Sequence, residues 1–219
     1  MPSFAEVKAG LAMPLSEAME TQRAVRRLRP DPVDDETVRA CLELALKAPT
    51  GGNLQNWEFV VVRDPDVKHQ LARMNRQSWS VMRRIHHFRV RHDEKGLRGL
   101  AAGQWLADHF EETPVVVVAC LRGPRLGFPP VVASSYYGSI FPAVQNLLLA
   151  ARGLGLGASL TTLPVWSSLM ARRTLGLPWN VSPIAAVPLG WPQGRYGPTT
   201  RRPVDEVTHL DRYGTPFGP

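Results

Sequence analysis

Two short apolar runs constrain the fold of this 219-residue chain more than any other feature. Glu58–Arg63 reads EFVVVR and is followed by the turn-forming pair Asp64 and Pro65, and Pro114–Cys120 reads PVVVVAC. Uninterrupted β-branched runs of this length, bounded by turn residues, are typical of strands that are covered on both faces. The two runs therefore predict two buried strands.

Helical patterns alternate with these strands. From Asp34 to Lys47 apolar residues recur at i, i+3, i+4 and i+7 behind an acidic first turn, and Pro49 ends the pattern, which predicts an amphipathic helix. A second, more apolar helix is predicted from about Ser135 to Arg152, with Pro142 either kinking it or setting its start. Ser167–Leu175 predicts a short helix.

The rest of the chain completes a layered pattern. Ala158–Leu163 and Pro183–Leu189 predict two further strands, and the polar, basic segment Asp66–Phe110 predicts helices with loops. Gly and Pro mark Gly123–Pro130 as a loop, and the tail from Gly194 onward lacks a core pattern. Strands that alternate with helices, without repeats, predict a single domain of mixed α/β or α+β layers.

Composition agrees with one soluble domain. A hydrophobic content of 44% is enough for one core without disulfides or metals. Cys41 and Cys120 both lie in apolar segments, which favours two buried thiols in a reducing compartment. The first 23 residues contain no apolar run of signal-peptide length, and no stretch approaches the ~18 apolar residues of a membrane span. We therefore expect a soluble, cytoplasmic protein that does not enter a membrane.

The charge balance indicates an anionic partner. The formal net charge is +7, with 26 Lys and Arg against 19 Asp and Glu, and Arg-rich patches at Arg23–Arg29 and Arg83–Arg98. Nucleic acid, a phosphorylated cofactor or an acidic membrane surface would each suit this charge. Because no helix-turn-helix or RNA-recognition signature is present, we interpret the second patch as a solvated helix face and expect no nucleic-acid partner.

The other motifs give little evidence of function. The GLGLG sequence of Gly153–Gly157 follows a predicted helix and precedes a predicted strand, which is the reverse of the order in a dinucleotide phosphate turn. His86, His87 and His92 lie in a basic stretch without a carboxylate-rich motif nearby, so we interpret them as surface residues rather than metal ligands. No nucleophile motif is present, and we predict no metal site.

Four blocks of the sequence, taken together, form a specific pattern. They are Thr21–Val33 (TQRAVRRLRPDPV), Ala48–Pro65 (APTGGNLQNWEFVVVRDP), Gly138–Leu163 (GSIFPAVQNLLLAARGLGLGASLTTL) and Thr199–Gly214 (TTRRPVDEVTHLDRYG). Their order and spacing resemble the FMN-dependent nitroreductase family. The resemblance implies one α+β domain over residues 1–219 with three layers, whose central mixed, mainly antiparallel sheet is flanked by helices. It also implies a variable lid segment at about 66–110, a C-terminal tail at about 194–219, and a homodimer with FMN at its interface.

The resemblance further implies the cofactor contacts. Arg23 is directed toward the phosphate with Arg201, Ala24 lies against the flavin, and Arg26 faces the O2 and N1 edge of the ring. A cation at that edge stabilises the reduced flavin. Gln22 and Ala24 stand where the family often has Arg and Ser. From the residues alone, the Arg cluster also fits a basic helix end.

Two further sets of contacts are implied. The first set borders the flavin ring, offers a backbone N–H near N5, and consists of Leu160, Thr161 and Thr162. From the residues alone, this set also fits a plain core strand. The second set reaches the flavin of the partner subunit and consists of Thr50, Gly51, Asn53 and Gln55. Asn56 follows this loop, where the family usually has Pro, so the loop is expected to be less rigid.

The implied activity needs no catalytic side chain, because the flavin carries the electrons. NADPH or NADH would pass hydride to N5, and a nitroaromatic or quinone would then take two electrons at the same face, in a ping-pong mechanism. Trp79, His86, His87 and Phe88 are candidates for the acceptor pocket by residue type. The alternatives are a reductive dehalogenase or enoate-type reductase on the same fold, a flavin-binding protein without turnover, and a nucleic-acid binder.

Overall fold

The computed structural model describes residues 3–123 and 130–217. The interior of the predicted loop Gly123–Pro130 lies outside these residues. The helices are α1 (Phe4–Ala9), α2 (Leu15–Thr21), α3 (Asp35–Ala45), α4 (Pro65–Val90), α5 (Glu94–Asp108), α6 (Pro130–Gly138), α7 (Phe141–Gly153) and α8 (Ser168–Leu175). The strands are β1 (Trp57–Val62), β2 (Val115–Arg122), β3 (Gly157–Ala158) and β4 (Val181–Gly190).

The four described strands form one sheet in the order β1-β2-β4-β3. Every neighbouring pair is antiparallel, which confirms the mainly antiparallel sheet. The two valine runs pair with each other, with Val61 opposite Val117. Residues Val115–Leu121 of β2 are all buried, as an unbroken apolar run requires.

Helices cover both faces of the sheet and make three layers. Alternate residues of β2, such as Val117, pack with α3 and α7 on one face. The intervening residues, such as Val118, pack with α4, α5 and α8 on the other. Cys41 and Cys120 belong to these opposite cores, and burial raises the pKa of each thiol to about 12. The predicted three-layer α+β architecture is confirmed.

The predicted helix over Ser135–Arg152 consists of two helices, and the alternative in which Pro142 sets the start of the apolar helix is confirmed. The chain forms α6 and α7, separated at Ser139 and Ile140, and Pro142 lies in the first turn of α7. A proline lacks the N–H that a helix interior requires but is tolerated in the first turn, so it sets the start of α7. The apolar period continues across the break, which is why the pattern did not show it.

Helix α7 is the central helix of one core. Its buried residues pack against α3 and the sheet of the same chain; they are Ala143, Val144, Leu147, Leu148, Ala150 and Ala151. This packing accounts for the apolar character of the helix. Its hydrophobicity is therefore explained within one chain, and a dimer stays a prediction that needs other support.

Candidate functional site

The Arg-rich segment after α2 is extended rather than helical. Helix α2 ends at Thr21 and Gln22 has extended backbone angles. The Val25 N–H donates to the Ala158 carbonyl at 3.0 Å, and the Arg29 N–H donates to the Trp191 carbonyl at 2.8 Å. The segment therefore runs along β3 and the end of β4, so the interpretation as a basic helix end is wrong.

Glycines explain how closely this segment approaches β3. A Cβ on Gly157 would lie 2.7 Å from side-chain carbons of both Val25 and Leu28. Gly155 has φ 79° in the turn between α7 and β3, a region that glycine occupies without strain. The GLGLG sequence thus serves a turn and a close contact, in agreement with the rejection of a dinucleotide motif.

Arg26 lies between two cavities. It lines a larger one of about 620 Å³ and a smaller one of about 180 Å³. Its side chain is half-buried and has no ion-pair partner among residues 3–123 and 130–217. Burial lowers the pKa of Arg26, and the nearby charge of Arg23 lowers it further. A poorly solvated, unpaired cation of this kind is a favourable site for an anionic or electron-rich ligand.

The smaller cavity is basic. Arg23, Arg27 and Arg195 line it with Arg26, whereas no described carboxylate does. Tyr196 also lines it, and its hydroxyl donates to the Leu156 carbonyl. The guanidinium of Arg152 lies 4.1 Å from the centre of the Tyr196 ring and, through Nε, donates to Thr21 Oγ1 at 2.8 Å. These contacts connect the tail of the chain to the start of the Arg-rich segment.

The larger cavity has a helical wall and a sheet-side wall. The helical wall comes from α4 and α5, and the sheet-side wall from Arg26 and Leu160–Leu163. On α4 the lining residues recur at helical spacing, as one face of the helix; they are Asn75, Trp79, Met82, His86, Arg89 and Val90. None of the described lining residues is acidic.

Three glycines of α5 explain why the cavity is open. A Cβ on Gly96 would lie 2.5 Å from Val90 Cβ, and one on Gly103 would lie 2.4 Å from the ring of Trp79. At Gly99, between them, an added Cβ would meet nothing within 4 Å. The two helices therefore touch at both ends of this stripe and leave space in the middle.

Asn75 is the most buried polar group on the helical wall. It is 2% exposed and lines the cavity, and neither atom of its amide is a fully buried atom without a hydrogen-bond partner. The neighbouring Trp79 is fixed, since its Nε1–H donates to Gln104 Oε1 at 2.9 Å. Asn75 is therefore a polar group at the inner end of the cavity that can hydrogen-bond a ligand.

Leu160, Thr161 and Thr162 lie on the sheet-side wall. Only Thr161 pairs with β4: its N–H donates to the Ala186 carbonyl at 2.9 Å, and its carbonyl accepts from the Ala186 N–H at 2.8 Å. The N–H groups of Leu160 and Thr162 have no acceptor in the described ranges. Regular β3 pairing already ends at Ala158, so the predicted strand over Ala158–Leu163 is too long.

The segment keeps the register of β3 as far as Thr161, because the Ser159 N–H donates to the Pro188 carbonyl at 3.4 Å and Thr161 forms an antiparallel bridge with Ala186. The 3-10 turn over Leu163–Val165, which contains Pro164, then ends the pairing. The segment is thus partly an irregular strand and partly a wall of the cavity.

The polar loop Thr50–Gln55 lies apart from both cavities. The Gly51 N–H donates to Ser139 Oγ at 3.1 Å, and a Cβ on Gly51 would lie 2.3 Å from Ser135 Oγ. The loop thus rests on the junction of α6 and α7. None of the described residues of the loop lines the cavity at Arg26.

The backbone of this loop is strained. Asn53 and Gln55 have φ angles of 54° and 48°, a region that non-glycine residues rarely occupy. Local hydrogen bonds hold it: the Gln55 N–H donates to Thr50 Oγ1 and Gln55 Nε2 donates to Asn53 Oδ1, both at 3.1 Å. Strained segments of this kind concentrate at functional sites.

Asn56 anchors the end of the loop. Its Nδ2 donates to the Arg122 carbonyl at 3.2 Å, and its own carbonyl accepts from the Arg122 N–H at 2.8 Å. These two hydrogen bonds attach the loop to the end of β2. They supply a restraint where a proline would have fixed the backbone itself.

Arg201 lines neither cavity but lies on a tail that returns to the Arg-rich segment. The backbone N–H and the Oγ1 of Thr199 both donate to the Glu20 carbonyl, at 2.9 and 3.1 Å. Arg201 is exposed, and its Nη1 donates to the Thr200 carbonyl at 2.9 Å. The structure thus brings Arg201 to the region of Arg23 without placing it against a cavity.

Only two of the four residues predicted for an acceptor pocket lie at the larger cavity. Trp79 and His86 line the larger cavity. His87 instead lines an outer groove, and Phe88 is 70% exposed with the Arg91 guanidinium 4.7 Å from its ring centre. Residue type alone did not predict this division, which is set by the helical period.

Within residues 3–123 and 130–217, which include His86, His87 and His92, no group of three or more His, Cys, Asp and Glu side chains could hold a metal ion. None of the helices in these ranges is both long and apolar enough to cross a membrane.

Several known proteins are similar to this chain in sequence or in structure. Human iodotyrosine deiodinase 1 is 27% identical over 197 residues, which cover 87% of this chain and 66% of that protein, so the chain spans just under two thirds of this relative. An NADH dehydrogenase of Thermus thermophilus is 30% identical over 218 residues, covering 85% of this chain and 90% of that protein. A Desulfovibrio desulfuricans protein, crystallised in complex with FMN, has a TM-score of 0.67 and 26% identity, with 92% of this chain and 98% of that chain covered.

The Nitroreductase family matches residues 19–191, which is well over half of the chain. This range begins before the Arg-rich segment and includes the helical and sheet-side walls of the larger cavity. The chain therefore belongs to the Nitroreductase family.

Proposed function

We propose that this protein is an FMN-dependent oxidoreductase that uses NADH or NADPH to reduce electron-poor acceptors such as nitroaromatics and quinones. The observation that carries the proposal is Arg26, a half-buried cation without an ion-pair partner among the described residues, between two cavities that no described carboxylate lines. Family membership supports the same activity.

The residues present fit FMN. The smaller cavity, with Arg23, Arg27 and Arg195, suits a phosphate dianion, because guanidinium groups bind phosphate through paired hydrogen bonds. Ala24 lines the same cavity without adding bulk, and Arg201 lies on the adjoining tail. The larger cavity has apolar walls and a few polar groups, as a flat ring with one polar edge requires.

Each wall then has a distinct role. Arg26, which lines both cavities, would hold FMN with a positive charge that stabilises the reduced ring. The unpaired N–H groups of Leu160 and Thr162 supply donors to the ring edge, while Thr161 holds this segment to β4. FMN held there would supply the redox chemistry, a ping-pong two-electron exchange between NAD(P)H and the acceptor.

The segment 66–110 acts as the acceptor-binding region. Helices α4 and α5 form the wall opposite Arg26, and their Asn75, Trp79 and His86 line the space that remains for a substrate. No side chain of this segment needs to act as acid, base or nucleophile, because electron transfer proceeds through the cofactor.

A homodimer completes the site in this proposal. Thr50, Gly51, Asn53 and Gln55 lie on a strained loop away from the chain's own cavities, so they bind the FMN of a second copy. Exposed apolar side chains near this loop support an interface: Leu54 is 74% exposed, and Tyr137 of α6 and Phe141 of α7 are 47% and 39% exposed.

Reductive dehalogenation is a second candidate activity of the same site. Similarity to human iodotyrosine deiodinase 1 over 87% of this chain favours it. The two activities differ in acceptor and not in cofactor.

Flavin analysis and turnover test the proposal. Purified protein is expected to carry or take up FMN, and NADH or NADPH oxidation is expected to depend on an added acceptor, with parallel double-reciprocal plots. Nitrofurazone, a quinone and a halophenol, compared under the same conditions, separate nitroreductase from dehalogenase activity. Protein that stays colourless after incubation with FMN contradicts the proposal, and bound FMN that NAD(P)H does not reduce indicates a flavin-binding protein without turnover.

A further inference from the structure

We propose that the larger cavity selects acceptors that carry a negative charge, which His86 and Arg89 bind at its solvent end. The inference rests on the proposed function, because it names the class of acceptor that enters the same site. It assigns Arg89 to substrate specificity, whereas Arg26 serves the cofactor.

The lining face of α4 runs from the protein interior to solvent. Asn75 is 2% exposed at the inner end, whereas His86 and Arg89 are exposed at the other end. Residues three apart in a helix are neighbours on one face, so both basic side chains border the same part of the cavity. They border the solvent end of the cavity, here called its entrance.

The charges around this entrance are not balanced. Arg76 of α4 pairs with Glu111 and Arg98 of α5 pairs with Glu94, but Arg89 has no carboxylate partner within the described residues. No acidic side chain of the described chain lines the cavity either. The nearby Asp93 carboxylate accepts from the N–H groups of Lys95 and Gly96, so Arg89 remains available to attract an anionic group.

The rest of the ligand is aromatic or otherwise flat and apolar. Trp79, Met82 and Leu100 line the space between the basic entrance and the inner end of the cavity. An apolar body with one charged end matches this arrangement, as in a ring that carries a carboxylate. A free amino acid fits less well, because its ammonium would enter a cavity without an acidic lining residue.

The expected preference is modest. Arg89 is exposed, so solvent and salt screen its interaction with a bound anion. An exposed ion pair of this kind corresponds to a preference of about fivefold in affinity. The preference is expected to shrink at high salt.

Calorimetric titration of FMN-loaded protein tests the inference with two matched ligands that cannot be reduced, benzoate and benzamide. The wild type is expected to bind benzoate about fivefold more tightly, and Arg89→Gln to abolish that difference. Arg84→Gln is the matched control, because it removes the same charge from the same helix but lines an outer groove and not this cavity. It is expected to keep the preference.

Three outcomes overturn the inference: equal affinities in the wild type, no measurable benzoate binding, or equal loss of preference in Arg84→Gln and Arg89→Gln. The last would mean that overall charge attracts the ligand, with no contact at the entrance. Flavin content is measured first, so a protein that retains no FMN contradicts the proposed function, whereas flavin-loaded protein without discrimination contradicts only this inference.

Discussion

The two walls of the larger cavity are built in different ways. The sheet-side wall, with Arg26 and Leu160–Leu163, is held by backbone hydrogen bonds to the strands, such as that from the Thr161 N–H to Ala186. The helical wall is held by side-chain packing between α4 and α5, with Gly103 against Trp79. Backbone pairing tolerates many side chains, whereas close packing does not. A cofactor site thus suits the first wall, whose backbone groups keep their place when side chains change, and acceptor specificity suits the second, whose side chains set the shape of the cavity.

The largest expected effect of a substitution in the sheet-side wall is at Arg26. Arg26→Gln is expected to weaken FMN binding by about 2–3 kcal/mol, because it removes a poorly solvated cation from the ligand. Fluorescence titration of apoprotein with FMN measures this loss. Arg29→Gln is the matched control, since Arg29 is paired with Asp31 at 3.5 Å and lines neither cavity. Equal loss in both variants would contradict the role of Arg26.

A pair of glycine substitutions tests the helical wall. Gly103→Ala is expected to destabilise the fold by about 2 kcal/mol, because its Cβ would lie 2.4 Å from the Trp79 ring. Gly99→Ala is expected to stabilise it by about 0.5–1 kcal/mol, because the added Cβ meets nothing within 4 Å and alanine favours the helix. Urea unfolding of both variants measures the difference, and similar stabilities would show that the helices are not in close contact.

Asn75 tests whether the helical wall contributes a polar contact to the ligand. Asn75→Leu has nearly the same shape and replaces an amide that is not a fully buried unpaired group, so the ligand-free protein is expected to change by less than about 1 kcal/mol in free energy of unfolding. Acceptor kcat/KM is expected to fall about tenfold, from the loss of one hydrogen bond in the cavity. Unfolding and steady-state turnover are measured on the same preparation. A larger loss of stability would indicate that the amide has a partner within the protein.

The smallest expected effect concerns pH. A hydrogen bond from Arg76 at 2.7 Å lowers the pKa of Glu111 from 4.5, and His69 contributes further. A lowered folded-state pKa means that the stabilisation is present above the unfolded pKa and is lost as pH falls through the folded value. Because both side chains are 38% exposed, the contribution is about 0.5 kcal/mol.

Glu111→Gln is therefore expected to unfold more easily than wild type near neutral pH. At about pH 3, where the carboxylate is being protonated, the two proteins are expected to be closer in stability. A difference that stays constant between the two pH values would contradict this ion pair.

The sequence predicts the central strands and helix α3 better than the helical wall of the cavity. The valine runs predicted β1 and β2 because an unbroken β-branched run has few alternatives. Helix α3 followed from its period, and its predicted start is confirmed by the Asp34 cap, whose Oδ1 accepts from the Thr37 N–H at 2.8 Å. The resemblance selected Arg26, which the structure places between two cavities.

The helix break and the helical wall depend on contacts that a single sequence does not show. The break between α6 and α7 lies inside a continuous apolar pattern, so periodicity could not locate it. Asn75 is one polar residue on a helix face and gives no signal by itself. The spacing of Gly96, Gly99 and Gly103 was a signal that could have been used, because residues three and four apart share one helix face.

Rapid mixing of FMN-loaded protein tests the central claim most directly. In the first mix, NADH or NADPH is expected to bleach the visible absorbance of the bound flavin without oxygen. In the second mix, a nitroaromatic or quinone is expected to restore that absorbance within the time of one turnover. Bound flavin that is not bleached, or that stays bleached with every acceptor, would contradict the account.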